Sequence, residues 1–151
     1  MQDLKVYIAE KLDISKDYSG YNYQPKDRDE LKSLLGQLIA KRRPKGDFND
    51  IDTSLITNMS YLFYCNKTFN GDISRWNTSR VEYMFSMFDS AESFNQKLDQ
   101  WDTKKVTDME RMFKDAFDFN QDISGWNVTK VKSFEDIFDN CPIKEEYKPK
   151  F

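Results

Sequence analysis

Between residues 69 and 143 the same apolar positions return every 25 residues. Residues 69–93 read FNGDISRWNTSRVEYMFSMFDSAES, 94–118 read FNQKLDQWDTKKVTDMERMFKDAFD, and 119–143 read FNQDISGWNVTKVKSFEDIFDNCPI. Aligned without gaps, the first and second share 9 of 25 positions, the first and third 10, and the second and third 8. Identity at that level marks an internal repeat. One period upstream, in 44–68, Thr53, Ile56, Met59, Leu62 and Phe63 fall on the columns of Thr78, Val81, Met84, Met87 and Phe88, while Ile51 takes the column of Trp76, Trp101 and Trp126. A terminal unit is expected to diverge in this way, because one of its faces meets a cap instead of a neighbour.

Within a unit, Val81, Met84, Phe88 and Ala91 are spaced three, four and three apart, which predicts the buried stripe of a short helix. Thr57 and Thr107 precede such stripes as N-caps, and Thr107 with Glu110 fits a capping box. The segment holding Ile73 and Trp76 reads as a short strand or extended turn leading into that helix. A unit this small buries its apolar face only against its neighbours, so identical columns stack. The stacked columns are Phe69, Phe94 and Phe119; Trp76, Trp101 and Trp126; Phe63, Phe88, Phe113 and Phe138; and Met84, Met109 and Phe134. Asn70, Asn95 and Asn120 make a polar column whose side-chain amides are placed to satisfy backbone groups between coils.

Upstream, residues 27–43 carry Leu31, Leu34, Leu35, Leu38 and Ile39 at the spacing of an amphipathic helix, with acidic residues early, Lys41, Arg42 and Arg43 late, and Pro44 as a stop. This helix is read as a lid on the first repeat, and its basic end as a complement to the helix dipole. Residues 1–13 predict a second short helix through Leu4, Ile8 and Leu12. A loop with Tyr18, Tyr21 and Tyr23 follows, either packed over the cap or forming a contact surface. The pattern therefore predicts a capped α/β solenoid of about four 25-residue coils. Residues 1–43 are the helical cap, 44–143 the coils (44–68, 69–93, 94–118, 119–143), and 144–151 a C-terminal tail.

The unit FNxDISxW(D/N)TSxVxxMxxMFxxA resembles the 25-residue repeat of BspA-like bacterial surface proteins. That family is a leucine-rich-repeat relative, also grouped with repeats of unknown function in mycoplasmal and other bacterial lipoproteins. The segment from Tyr23 to Phe63 is similar to the lead-in of such arrays. The resemblance implies a leucine-rich-repeat-like solenoid and a surface or adhesion-type interaction module. Lys97, Leu98 and Asp99 depart from the Asp-Ile-Ser of the other units, as do Val128 from Thr and Phe134 and Ile137 from Met.

Composition narrows the chemistry. The 151 residues are 38% hydrophobic, 32% charged and 15% aromatic, with a net charge of −3. That describes a folding chain without the basic surface that phosphate backbones require. Nucleic acid is therefore not expected as a partner. No apolar run approaches the roughly 18 residues of a membrane span, so no membrane insertion is expected. No export signal is recognisable, which predicts a cytoplasmic protein as written, or a cell-surface one, by the family resemblance, if the chain is a fragment. The absence of His removes the commonest general base and most zinc sites, so neither catalysis nor a cofactor nor a metal is expected. Asp118, Asn120 and Asp122 resemble the start of a calcium loop, but Ile123 and Thr129 stand where Gly and Glu are needed. Asn58, Asn66, Asn77 and Asn127 head N-x-S/T triplets that follow from the turn pattern. Cys65 and Cys141 lie three periods and one residue apart, too far for a disulfide, and are expected as free, mostly buried thiols.

Positions that vary between units are free to bind. Arg80, Lys105 and Lys130 form a basic column, with Arg75, Lys104 and Lys132 beside it. Asp89, Asp115, Asp118, Glu135, Asp136 and Asp139 form an acidic zone on the far side. Tyr83, Phe85 and Phe117 replace residues that are polar, or Pro, in other units and are candidate exposed anchors. The expectation is a non-enzymatic protein-protein interaction module, monomeric alone, with another protein as its partner through Arg75, Arg80, Tyr83, Phe85, Lys104, Lys105, Phe117 and Lys130. The alternative is a cytoplasmic immunity-type protein that binds and neutralises a toxin.

Overall fold

The computed structural model describes residues 20–151. The helix expected over 1–13 and the role of Tyr18 lie outside the described residues. The first described element is helix α1, Arg28–Arg42, one residue inside the predicted bounds at each end. Asp27 caps it, its carboxylate accepting from the amides of Asp29 and Glu30. Arg43 then turns the chain out at φ 66°. Leu31, Leu34, Leu35 and Leu38 are buried on the face that meets the first repeat.

The repeats do not build an α/β solenoid of leucine-rich-repeat coils. Among the described residues helix α1 is the one α-helix and no strands pair into a sheet. The contacts between units include isolated parallel bridges, running Asn58 to Tyr83 to Asp108 to Ser133, with another from Asp47 to Asp72. The predicted helix at Val81–Ala91 is instead a run of tight turns. The amides of Met87, Asp89 and Ala91 close turns on Met84, Ser86 and Phe88. The residues between them bond outward: Met84, Ser86, Phe88 and Ser90 donate to the carbonyls of Asp108, Glu110, Met112 and Lys114 in the next unit. An α-helix would return every amide to its own carbonyl four residues back. Here every second amide is spent on the neighbouring unit.

That alternation needs left-handed backbone twice per unit. Positive φ falls at Tyr61 and Cys65, Ser86 and Ser90, Arg111 and Asp115, and Asp136 and Asn140, each pair 25 residues from the last. Non-glycine residues there cost about 1–2 kcal/mol each. The cost is met by the bonds and ring contacts between units. Thr107 is accordingly no N-cap: its amide and hydroxyl both donate to the Glu82 carbonyl. Thr57 likewise serves the stack, its carbonyl accepting from the amide of Glu82.

The apolar columns stack as the periodicity predicts. Phe69, Phe94 and Phe119 follow one another at 6.0 Å with planes within 7°. Trp76, Trp101 and Trp126 follow at 6.5 and 6.4 Å, within 2° of parallel. Phe63, Phe88, Phe113 and Phe138 continue the series, and across each unit boundary Phe63, Phe88 and Phe113 lie 4.1 Å from Phe69, Phe94 and Phe119. Phe134 is the exception. Met84 and Met109 in its column are fully buried, whereas Phe134 is 44% exposed.

Polar side chains tie the same units. Asn70 Oδ1 accepts from the Asn95 amide, Asn95 Oδ1 from the Asn120 amide, and Asn120 Oδ1 from the Lys144 amide, which is the ladder the sequence predicts. Each Trp donates Nε1–H to the carbonyl of Phe48, Ile73 or Leu98 in the preceding unit. Thr53, Thr78 and Thr103 donate forward to Asn77, Asp102 and Asn127. Val128 fills that column in the 119–143 unit, where no later described unit supplies a carbonyl. Three of the four N-x-S/T triplets are turn motifs: Asn58 accepts from the Ser60 amide, and Asn77 and Asn127 accept from the backbone and hydroxyl of Ser79 and Thr129.

Candidate partner-binding faces

The basic column stands on a corner of the stack. Arg80, Lys105 and Lys130 each occupy the outer position of a turn closed at Val81, Val106 or Val131. All three are exposed, and among the described residues none has an ion-pair partner. Leu55, 38% exposed, heads the same column. Three cations in register, none within ion-pair distance of a carboxylate among the described residues, make a short positive strip. Lys104 is less available, because its ammonium pairs with Asp102 at 2.9 Å and that hydrogen bond holds the Asp102 carboxyl below its ordinary range. Arg75 sits on the Ile73–Trp76 turn, 3.9 Å from Asp47, lining a depression of about 310 Å³ with Tyr21, Asn49 and Asp50.

The aromatic anchors divide. Tyr83 is 44% exposed on the bridge between Asn58 and Asp108. Phe85 is only half-exposed, because the Tyr61 ring packs on it edge-on at 5.1 Å. Phe117 is 52% exposed, but on the Ala116–Phe119 turn, without ring or hydrogen-bond contact to Tyr83, Phe85 or the basic strip.

What sequence reasoning missed is the partner of Phe85. Tyr61 is 38% exposed and Tyr64 49%, their rings edge to face at 5.6 Å, so Tyr61, Tyr64 and Phe85 form one exposed aromatic cluster. The signal was present. Tyr61 shares its column with Ser86, Arg111 and Asp136, and Tyr64 with Asp89, Lys114 and Asp139. They are aromatic-for-polar exchanges like those at Tyr83 and Phe85, hidden in the divergent first unit. Tyr21 is exposed, whereas Tyr23 is core, 2% exposed.

The acidic zone is partly neutralised, at Asp89, Asp115 and Asp139, while Asp118, Glu135 and Asp136 are exposed without an ion-pair partner among the described residues. Asp89 is buried, accepting from the hydroxyls of Ser86 and Ser90. Lys114 pairs with Asp139 and lies 4.0 Å from Asp115, and the hydrogen bond to Asp139 raises its pKa. The calcium-like residues are engaged in the stack, with Asp122 accepting from the amide and hydroxyl of Ser124 and Asn120 from Lys144. No group of three metal-ligating side chains converges among the described residues.

Both cysteines are free, as expected, but Cys65 is exposed. Its positive φ puts it on the outside of the turn run, in the column of Ser90, Asp115 and Asn140. Cys141 is half-buried, its thiol donating to the Phe119 carbonyl at 3.5 Å, and burial pushes its pKa up. No helix among the described residues is long and apolar enough to cross a membrane.

Residues 33–149 match the family described as a Mycoplasma protein of unknown function, DUF285. The chain belongs to that family. The match to this DUF285 family takes in the C-terminal part of α1, all four units and most of the tail. No curated protein and no solved structure matches the chain.

Proposed function

We propose that this DUF285 chain is a non-enzymatic protein-binding module, of the kind its resemblance to BspA-like surface and adhesion repeats implies. The observation that carries the reading is the Tyr61–Tyr64–Phe85 cluster. It gathers three rings in contact through Tyr61, where the other exposed apolar side chains among the described residues stand singly or as the Phe134–Phe151 pair, and such rings are the anchors of protein interfaces. Tyr83, exposed two residues before Phe85, is a further anchor, and the strip of Arg80, Lys105 and Lys130 supplies the charge that orients an acidic partner and speeds its arrival.

The test is binding to a partner captured from the native host. Tyr61→Ala and Tyr64→Ala together weaken binding by about 2 kcal/mol or more, the scale of buried aromatic anchors. Reversing Arg80, Lys105 and Lys130 to Glu slows association and flattens its salt dependence. Melting temperatures stay near wild type in both. Unchanged affinity in the tyrosine variant removes the cluster from the reading, and unchanged association in the other removes the strip.

A further inference from the structure

The 119–143 unit leaves a row of backbone donors unmatched. In the preceding unit Met109, Arg111, Phe113 and Asp115 donate to the carbonyls of Ser133, Glu135, Ile137 and Asp139. The equivalent amides one period later belong to Phe134, Asp136, Phe138 and Asn140, and among the described residues none of them has an acceptor. The tail reaches this end through side chains, with Lys148 over the Phe138 ring and Phe151 on Phe134, but none of its carbonyls meets the four amides. The Tyr147 carbonyl accepts from Ile123, Ile143 is buried, and Phe151 stacks on Phe134 at 4.5 Å, both rings about 45% exposed. A row of free donors beside exposed rings is an open edge.

The polarity of the stack decides what fits it. Every such amide in the turn runs points toward the later unit, so this end offers donors from its turn run. A second copy meeting it about a two-fold axis would set donors against donors. The acceptor-bearing opposite end is occupied by α1, where Arg28 Nε donates to the Ser60 carbonyl and Lys32 Nζ to the Tyr61 carbonyl. Head-to-tail addition of a second copy is blocked there. The edge is lined by the carboxylates of Glu135, Asp136 and Asp139, which disfavours a bound anion. One unit earlier, the side chain that meets Asp139 is Lys114.

From this we infer that the 119–143 end is a docking site for a peptide segment of a partner protein, added as one more rung. Its alternate backbone carbonyls accept from Phe134, Asp136, Phe138 and Asn140. It carries basic side chains opposite Asp136 and Asp139, and an apolar one against the Phe134–Phe151 pair. Backbone bonds give such addition its affinity and side chains give it register. The site is separate from the Tyr61 cluster, so either can fail alone.

The probe is a synthetic peptide of residues 94–118, which has the rung register and carries Arg111 and Lys114 in the columns of Asp136 and Asp139. Titrated into 15N-labelled protein, it shifts the amides of Phe134, Asp136, Phe138 and Asn140, and a scrambled peptide of the same composition does not. Asp136→Asn keeps the backbone donor and its left-handed preference, and weakens the peptide several-fold. Replacing both Arg111 and Lys114 of the peptide by Glu weakens it about tenfold or more, 1.4 kcal/mol. Equal shifts from the scrambled peptide, shifts confined to Tyr61 and Tyr64, or self-association through these amides without peptide would each overturn the proposal.

Discussion

Gly71 stands where no side chain fits. A Cβ there would lie 2.4 Å from Phe48 Cε2 and 2.8 Å from Phe69 Cε2. Later units carry Gln96 and Gln121 in the same column, because the residues they face across the unit boundary are Ile73 and Leu98 instead of the larger Phe48. Both glutamines use the room, donating Nε2–H to Asn70 and Asn95. Gly71→Ala should destabilise by about 1–3 kcal/mol, the cost of overpacking a filled core. Combined with Phe48→Leu, the added cost of the alanine should fall by at least half, since the two sites share one contact. Urea unfolding of the four proteins checks this, and simple additivity would show that the ring is not the obstruction.

Helix α1 is fastened to the stack at its C-terminal end by Arg42. Its guanidinium forks onto Asp50 at 2.6 and 2.8 Å, donates to the Asp47 carbonyl, and lies 5.6 and 5.7 Å from the ring centres of Tyr23 and Phe48. Burial pushes the Asp50 carboxyl up, but hydrogen bonds from Arg42 and Asn22 outweigh it and leave the pKa below its ordinary value. A depressed folded pKa gives stability that is present above the unfolded value near 3.9 and is lost as pH falls through the folded one. Asp50→Asn should therefore cost about 1–3 kcal/mol at pH 7, the range for charged hydrogen bonds, and flatten the fall in stability below about pH 5. Parallel acid titrations of the two proteins, followed by circular dichroism, would refute this by giving equal slopes.

The same scale explains what was legible. α1 could be read because apolar spacing, an acidic cap and a proline stop all agree. The turn runs could not, because Val81, Met84, Phe88 and Ala91 keep helical spacing while their backbone alternates hand. The left-handed positions carry Tyr61, Cys65, Ser86, Ser90 and Arg111 beside the more permissive Asp115, Asp136 and Asn140, and none is the Gly that would have announced a turn. The ladders of Phe, Trp and Asn were legible since stacking depends only on the period. The Tyr61–Tyr64–Phe85 cluster was half legible, because its first-unit members sit where the repeat is least regular.

Across the whole molecule each unit touches only its neighbours, so stability should grade along the stack instead of being shared evenly. Phe88 is fully buried among Phe63, Phe94, Trp101 and Phe113, with ring centres 4.1–6.3 Å away. Phe138 is half-buried and has one ring neighbour among the described residues, Phe113 at 5.9 Å, with Lys148 over its outer face. Phe88→Ala should cost about 3–5 kcal/mol and Phe138→Ala less than half of that. Native-state hydrogen exchange separates grading from a single cooperative block. The amides of Met84, Ser86 and Phe88 join two interior units, whereas those of Arg111, Phe113 and Asp115 hold the 119–143 unit in place. Phe138→Ala should speed exchange in the second group and leave the first at its wild-type rate. An equal acceleration in both would mean that the four units open as one, because the ring ladders then couple more strongly than nearest-neighbour contact allows.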